Sequence, residues 1–215
     1  MYAKLIKPSL DRVVAATLLV ILAVPLLLVA IWIKLDSHGP VIFKQPRFGK
    51  HKVTFMVYKF RTMATDTPQV STNTFKNAHA YITRSGKILR KLSIDELPQI
   101  LNVLKGEMSL VGPRPVILKE IGLIDLREQV GANSVKPGIT GWAQVNGRDE
   151  LDDIIKARMD GQYVANFGFT TDIKILLKTV WVIISAAGHQ EGHHHSSNEY
   201  YGESRNQPNL SVDEG

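Results

Sequence analysis

The sequence predicts an α+β fold: a small, mostly helical domain carrying a short β-hairpin and attached to an apolar N-terminal membrane helix. Three observations predict it. Residues 13–33 form an unbroken run of uncharged, almost wholly apolar side chains between Arg12 and Lys34. Two β-rich stretches, 41–43 and 53–60, flank a Pro-Arg-Phe-Gly-Lys segment suited to a hairpin. Beyond residue 84, apolar positions recur at helical spacing between glycines and prolines.

The apolar run spans roughly 30 Å as a helix, enough to cross the hydrocarbon core of a bilayer. It is longer than the apolar part of a signal peptide, and no small-residue cleavage site follows it. Its flanks are both basic, with Lys4, Lys7 and Arg12 before it and Lys34, Lys44, Arg47 and Lys50 after it, so the positive-inside rule keeps both ends cytoplasmic. Pro25, near the middle, removes one helical hydrogen bond and favours a kink. These residues admit two readings: a kinked helix that re-emerges on its entry side, and a spanning helix with a tolerated proline.

Residues 36–40 read as a turn and 65–80 as a polar surface loop. Helices are expected over 85–90, 95–104, 116–130, 151–166 and 171–187, with irregular chain at 112–115 and a Gly- and Pro-punctuated stretch at 136–148. The helix at 171–187 is apolar nearly all round, which suits either the centre of the core or a membrane interface with Trp181 at headgroup level. The chain of 215 residues thus divides into a membrane helix (1–35), one domain (36–188) and a polar tail (189–215). No internal repeat is present.

A formal charge of +6 and a pI near 9.5 imply a surface that attracts anions: nucleic acid, anionic lipid or phosphorylated substrates. The absence of cysteine excludes disulfides, zinc-thiolate sites and thiol nucleophiles. No nucleic-acid motif or interleaving of basic and aromatic residues is found, which argues against nucleic acid.

The chemistry concentrates in Arg90-Lys91-Leu92-Ser93-Ile94-Asp95-Glu96-Leu97-Pro98. Ser93 and Glu96 have capping-box spacing, which would make the carboxylates structural. Pro98 is better placed if Asp95 is the N-cap. Either way Asp95 stands at a helix N-terminus, where the dipole, Arg90 and Lys91 are expected to favour its ionised, nucleophilic form. Arg114 lies between Pro113 and Pro115, which fix its backbone and present a fork suited to phosphate. The 59–62 segment offers a further cation. In the 136–148 stretch the glycines permit close approach to a ligand, and Gln144, Asn146 and Arg148 offer donors and acceptors. The competing reading there is a hairpin around Asn146-Gly147. The run His193-His194-His195 in the tail reads as incidental.

In this order the basic apolar segment, KFRTM, RKLSIDELPQ, LVGPRP and KPGITGWAQVNGR resemble the monotopic polyprenyl-phosphate phosphoglycosyl transferases, over nearly the whole chain. The chain looks like the minimal form of that family, with Pro8 where a basic residue is common. The resemblance implies a re-entrant helix broken near Pro25, at the cytoplasmic face of a bacterial inner membrane. It implies that Asp95 attacks the sugar-bearing phosphate of a UDP-sugar, expels UMP and holds the sugar phosphate until polyprenyl (undecaprenyl) phosphate takes it. Glu96, with Asp95, would hold Mg²⁺. Arg61, Arg90 and Arg114 would bind phosphoryl oxygens, with Gln144, Asn146 and Arg148 as further substrate contacts. The segment from Glu191 to Gly202 resembles members that use N-acetylated amino sugars such as diacetylbacillosamine. Hexose 1-phosphate transfer is the alternative, and from another class a non-enzymatic basic peripheral membrane protein. The oligomeric state is left open.

Overall fold

A computed structural model of the chain describes residues 2–67, 78–147 and 151–185. The expected polar tail, Arg148 and most of the polar loop at 65–80 lie outside the described residues. The helices are α1 (Lys7–Asp36), α2 (Arg84–Lys91), α3 (Ile100–Lys105), α4 (Ile121–Gln129), α5 (Asp153–Ala165) and α6 (Phe169–Ser185). The strands are β1 (Ile42–Phe48), β2 (Thr54–Phe60), β3 (Ser109–Val111), β4 (Val116–Ile117) and β5 (Gly138–Thr140). This is the expected α+β architecture with its apolar N-terminal helix.

The 30 residues of α1 amount to about 45 Å of helix. Where the sequence suggests a break near Pro25, the backbone stays helical. One missing N–H costs the ladder one bond, and packing supports the helix on both sides of it. Ala15, Leu18, Leu19 and Leu22 join one core cluster, while Leu26, Val29, Ala30 and Ile33 join another. These positions follow the three-and-four spacing of a single helical stripe. The other face, with Val20, Ile21, Val24, Leu27 and Leu28, is exposed. Among the described residues, Tyr2–Asp36 is the one segment long and apolar enough to cross a membrane.

Both ends of α1 are fastened to the domain. At its start, Lys7 Nζ lies 2.7 Å from Asp172 Oδ2, to which Tyr2 also donates at 2.5 Å, while Tyr163 donates to Asp172 Oδ1 at 2.9 Å. Asp11 accepts from Ser109 Oγ at 2.7 Å. At its finish, Asp36 Oδ2 accepts from the Ser85 amide and hydroxyl at 2.9 and 2.8 Å, joining α1 to the first turn of α2.

In the sheet, β1 pairs antiparallel with β2, Ile42 opposite Phe60 and Phe48 opposite Thr54. The residues 46–48 expected in the turn are therefore strand, and the reversal occurs over Gly49 to Val53. On its other side β1 takes β4, which claims Val116 and Ile117, so the helix expected from 116 starts only at Ile121. The helix expected over 95–104 is divided into a 3₁₀ segment, Ile94–Gln99, and α3. Asn102 ties α3 to β2 by accepting from the Tyr58 amide at 3.1 Å and donating to the Met56 carbonyl at 2.7 Å.

β3 and β5 pair in parallel, and where the sequence admits a hairpin around Asn146-Gly147 the described residues Gln144–Asn146 are a 3₁₀ turn. A Cβ on Gly138 would sit 2.1 Å from the Gly112 nitrogen, and one on Gly112 would sit 2.4 Å from the Lys136 carbonyl oxygen. The glycines of this stretch therefore serve close approach of one backbone to another, where the sequence suggested a ligand. In α6, Asp172 and Ile175 are buried, but Phe169, Leu177, Val180, Trp181 and Ile184 are exposed. Core burial thus describes one face of this helix only.

Candidate active site

The Asp95-Glu96 pair sits on the 3₁₀ segment that follows α2, after Ser93 has reversed the chain in the left-handed region at φ 56°. Ser93 makes no side-chain cap bond, so the capping box does not form. Glu96 is buried and reaches across to cations instead. Lys59 Nζ, from β2, lies 2.8 Å from Glu96 Oε1. Arg114, from the proline-flanked turn between β3 and β4, brings NH2 to 3.0 Å from Oε1 and NH1 to 3.4 Å from Oε2. Arg90, in the last turn of α2, donates from Nε to Thr62 Oγ1 at 2.8 Å. Three separate elements thereby deliver lysine and arginine charges around two adjacent carboxylates.

The two carboxylates are driven apart in acidity. Burial pushes Asp95 up to about 6; Lys59 opposes the rise, Glu96 adds to it, and Arg90 and Arg114 oppose it further. Burial would raise Glu96 as well, but the Arg114 and Lys59 charges outweigh it and hold that carboxyl well below the usual range. The expectation that a helix terminus would favour ionised Asp95 is thus corrected. The 3₁₀ turn is short, and desolvation dominates.

The arrangement, a half-buried carboxylate, a fixed anion beside it and lysine and arginine cations around them, suits the charge of phosphoryl groups. Residues 2–186 match the bacterial sugar transferase family. The chain belongs to that family. It is 41% identical over 198 residues to an uncharacterised sugar transferase, EpsL, of Bacillus subtilis (strain 168), covering 92% of this chain and 96% of that one. It is 44% identical over 189 residues to an undecaprenyl-phosphate glucose phosphotransferase of Komagataeibacter xylinus, covering 81% of this chain and 35% of that protein. It is also 42% identical over 190 residues to a UDP-N-acetylgalactosamine-undecaprenyl-phosphate N-acetylgalactosaminephosphotransferase of Aeromonas hydrophila, covering 85% and 44%. This sugar transferase therefore spans less than half the length of these last two relatives.

Within this sugar transferase the expected site residues part company. Asp95, Glu96 and Arg114 are assembled, and Arg90 lies at the end of the preceding helix. Arg61 is not free to bind phosphate, because its buried guanidinium donates to the carbonyls of Ser37, His38 and Pro40 at 2.9, 2.8 and 2.6 Å. It fastens the turn after α1. Gln144 donates to the Ile139 carbonyl at 2.9 Å, and its buried Oε1 has no partner. Asn146 donates to the Trp142 carbonyl at 2.7 Å and accepts from Lys178 of α6. Both are bonded to their own loop or to α6. Lys59 was missed as a site residue, although it stands in the same KFRTM block as Arg61. The signal was its position inside the strand, next to Phe60, whose side chain is buried in the core.

Proposed function

We propose that this protein transfers a sugar 1-phosphate from a UDP-sugar to polyprenyl phosphate at a membrane surface, with Asp95 as a covalent nucleophile. The observation that carries this is the Asp95-Glu96 pair held among Lys59, Arg90 and Arg114. In the first half-reaction an Asp95 carboxylate oxygen bonds to the sugar-bearing phosphorus, and the bridging P–O bond breaks with its electron pair leaving on UMP. In the second, a phosphate oxygen of the lipid bonds to the same phosphorus, and the bond to Asp95 breaks, regenerating the carboxylate. Arg114 and Lys59 fix Glu96 and would set their positive charge beside the charge that develops on the phosphoryl oxygens. The names of the relatives support the reaction class.

Mg²⁺ fits this donor set sparingly. Among the described residues no group of three or more acidic or histidine side chains gathers for a metal. Mg²⁺ in phosphate-handling sites takes one or two carboxylates and completes its shell from phosphate and water. Asp95 and Glu96 would hold it, and when bound it would neutralise charge on the diphosphate and the departing UMP as a Lewis acid.

The membrane reading rests on the exposed apolar faces of α1 and α6 and on the fastening of both ends of α1 to one domain. A straight crossing would carry Lys7 and Asp36 to opposite sides of the bilayer, whereas here Asp172 and Ser85 hold both of them on the same body. We place the protein on the cytoplasmic face of a bacterial inner membrane, with both ends of α1 on that side and its exposed apolar face toward lipid. For the sugar we favour an N-acetylated amino sugar, with hexose as the alternative; two relatives are named for glucose and one for N-acetylgalactosamine. The test is UMP release from a panel of UDP-hexoses and UDP-N-acetylated amino sugars, by the full chain in lipid nanodiscs containing undecaprenyl phosphate. One UDP-sugar class is expected to turn over, and phosphosugar is expected to accumulate on the protein when the lipid acceptor is omitted. No UMP from any member, or turnover with no trapped phosphosugar, overturns the reading.

A further inference from the structure

Pro113-Arg114-Pro115 has only one backbone N–H among its three residues, so it cannot hold its shape by donating to a neighbouring strand or helix. Its three carbonyls are instead each taken by a donor from a different element. The Pro113 oxygen accepts from the Gly138 amide of β5 at 2.9 Å, the Arg114 oxygen from Arg127 NH1 of α4 at 2.8 Å, and the Pro115 oxygen from Arg47 NH1 of β1 at 3.1 Å. Arg127 is itself immobilised: it is 5% exposed, and its Nε and NH2 lie 2.8 and 2.6 Å from Oδ2 of Asp160 on α5, which is 1% exposed. None of these contacts reaches Asp95 or Glu96, yet together they hold the three-residue turn that carries Arg114, whose side chain grips both oxygens of Glu96, and the one from Arg127 ends on the Arg114 carbonyl itself.

We infer that the buried Arg127–Asp160 pair is a positioning device for Arg114, fixing the backbone from which its guanidinium reaches Glu96 and the substrate diphosphate. Resting on the reading above, this assigns α4 and α5 a part in the site that their sequence does not advertise. A buried ion pair is a poor source of net stability, since desolvating both charges offsets their attraction. What it supplies here is direction. The guanidinium is planar, so the Nε and NH2 groups along one edge meet Asp160 Oδ2 while NH1 is aimed at the Arg114 carbonyl in the same fixed plane. Lysine has one nitrogen on a flexible stem and cannot reproduce that bridge.

The experiment uses the full chain in nanodiscs with ¹⁵N-labelled arginine and three changes: Arg127→Lys, the paired replacement Arg127→Met with Asp160→Leu, and Arg114→Ala. The paired replacement removes both buried charges together, so it keeps the domain folded if the single variant does not. The Arg114 Nε–H resonance, identified by its loss in Arg114→Ala, is expected to move to the position of a solvent-exposed arginine in either variant. That readout does not depend on the reaction. In the UMP assay, either variant is expected to lower kcat/KM at least tenfold in the parent and less than threefold on the Arg114→Ala background. An unmoved Arg114 resonance, or equal losses on both backgrounds, overturns the inference. If the parent releases no UMP from any UDP-sugar, the proposed reaction falls while the resonance still decides the positioning role.

Discussion

At the scale of single residues, Asp95 carries a cost that the rest of the domain sustains. Its folded acidity constant, about 6, is raised above the ordinary value of 3.8 by burial. As pH rises between these values the unfolded chain gives up the proton first, so stability falls across that window and the penalty is constant above it. Glu96 works in the opposite sense: its carboxyl is held low, so its contribution is present above its ordinary value of 4.5 and lost as pH falls. Asp95→Asn is therefore expected to melt at a higher temperature than the parent at pH 7 in metal-free buffer, with the gap closing below about pH 4, while UMP release is abolished. A variant that melts lower at pH 7 contradicts the burial argument; one that keeps a tenth of the activity contradicts the nucleophile. Lys59→Met is expected to lower kcat/KM about tenfold or more, roughly 1.4 kcal/mol, because Glu96 loses its shortest ion pair. Activity within twofold of the parent would return Lys59 to the status of a strand residue.

At the scale of elements, what the sequence reveals is local and what it hides is partnership. The 3₁₀ segment with Asp95 and Glu96 is legible because charges, Ser93 and Pro98 fall in one short block. Arg61 is illegible because its three carbonyl partners lie 21 to 24 residues upstream, and nothing around it distinguishes a clamp from a phosphate ligand. The start of α4 is missed for a similar reason: residues 116 and 117 lie only a few residues ahead of a helix in sequence but beside a strand in space. Two element joints can be ranked by burial. Thr83 accepts from the Gly86 amide at 2.9 Å as the N-cap of α2, and Thr83→Ala is expected to cost about 1 kcal/mol. Lys7→Met leaves Asp172, 4% exposed, with hydroxyl partners only, and is expected to cost about 3–5 kcal/mol. Thermal melting in one nanodisc preparation checks the order; the reverse order would show that the α1–α6 joint is open to water.

At the scale of the whole molecule, one stripe of α1 and both of its ends belong to the domain, leaving the opposite face for lipid. A reporter fused before residue 1 is accordingly expected on the same side of the membrane as the domain, and a reporter found on the other side sinks that topology. The α1–α6 joint also has a consequence in time. Lys7 and Asp172 are separated by 165 positions in the chain. During synthesis, therefore, the long helix emerges with Lys7 facing only Asp11 one turn on, at 3.8 Å, and its closer partner Asp172 arrives only when the last described helix leaves the ribosome. A polypeptide cut short before Asp172 can still tie this helix through Asp11 to Ser109 and through Asp36 to Ser85, but the buried ion pair that closes its start is added last.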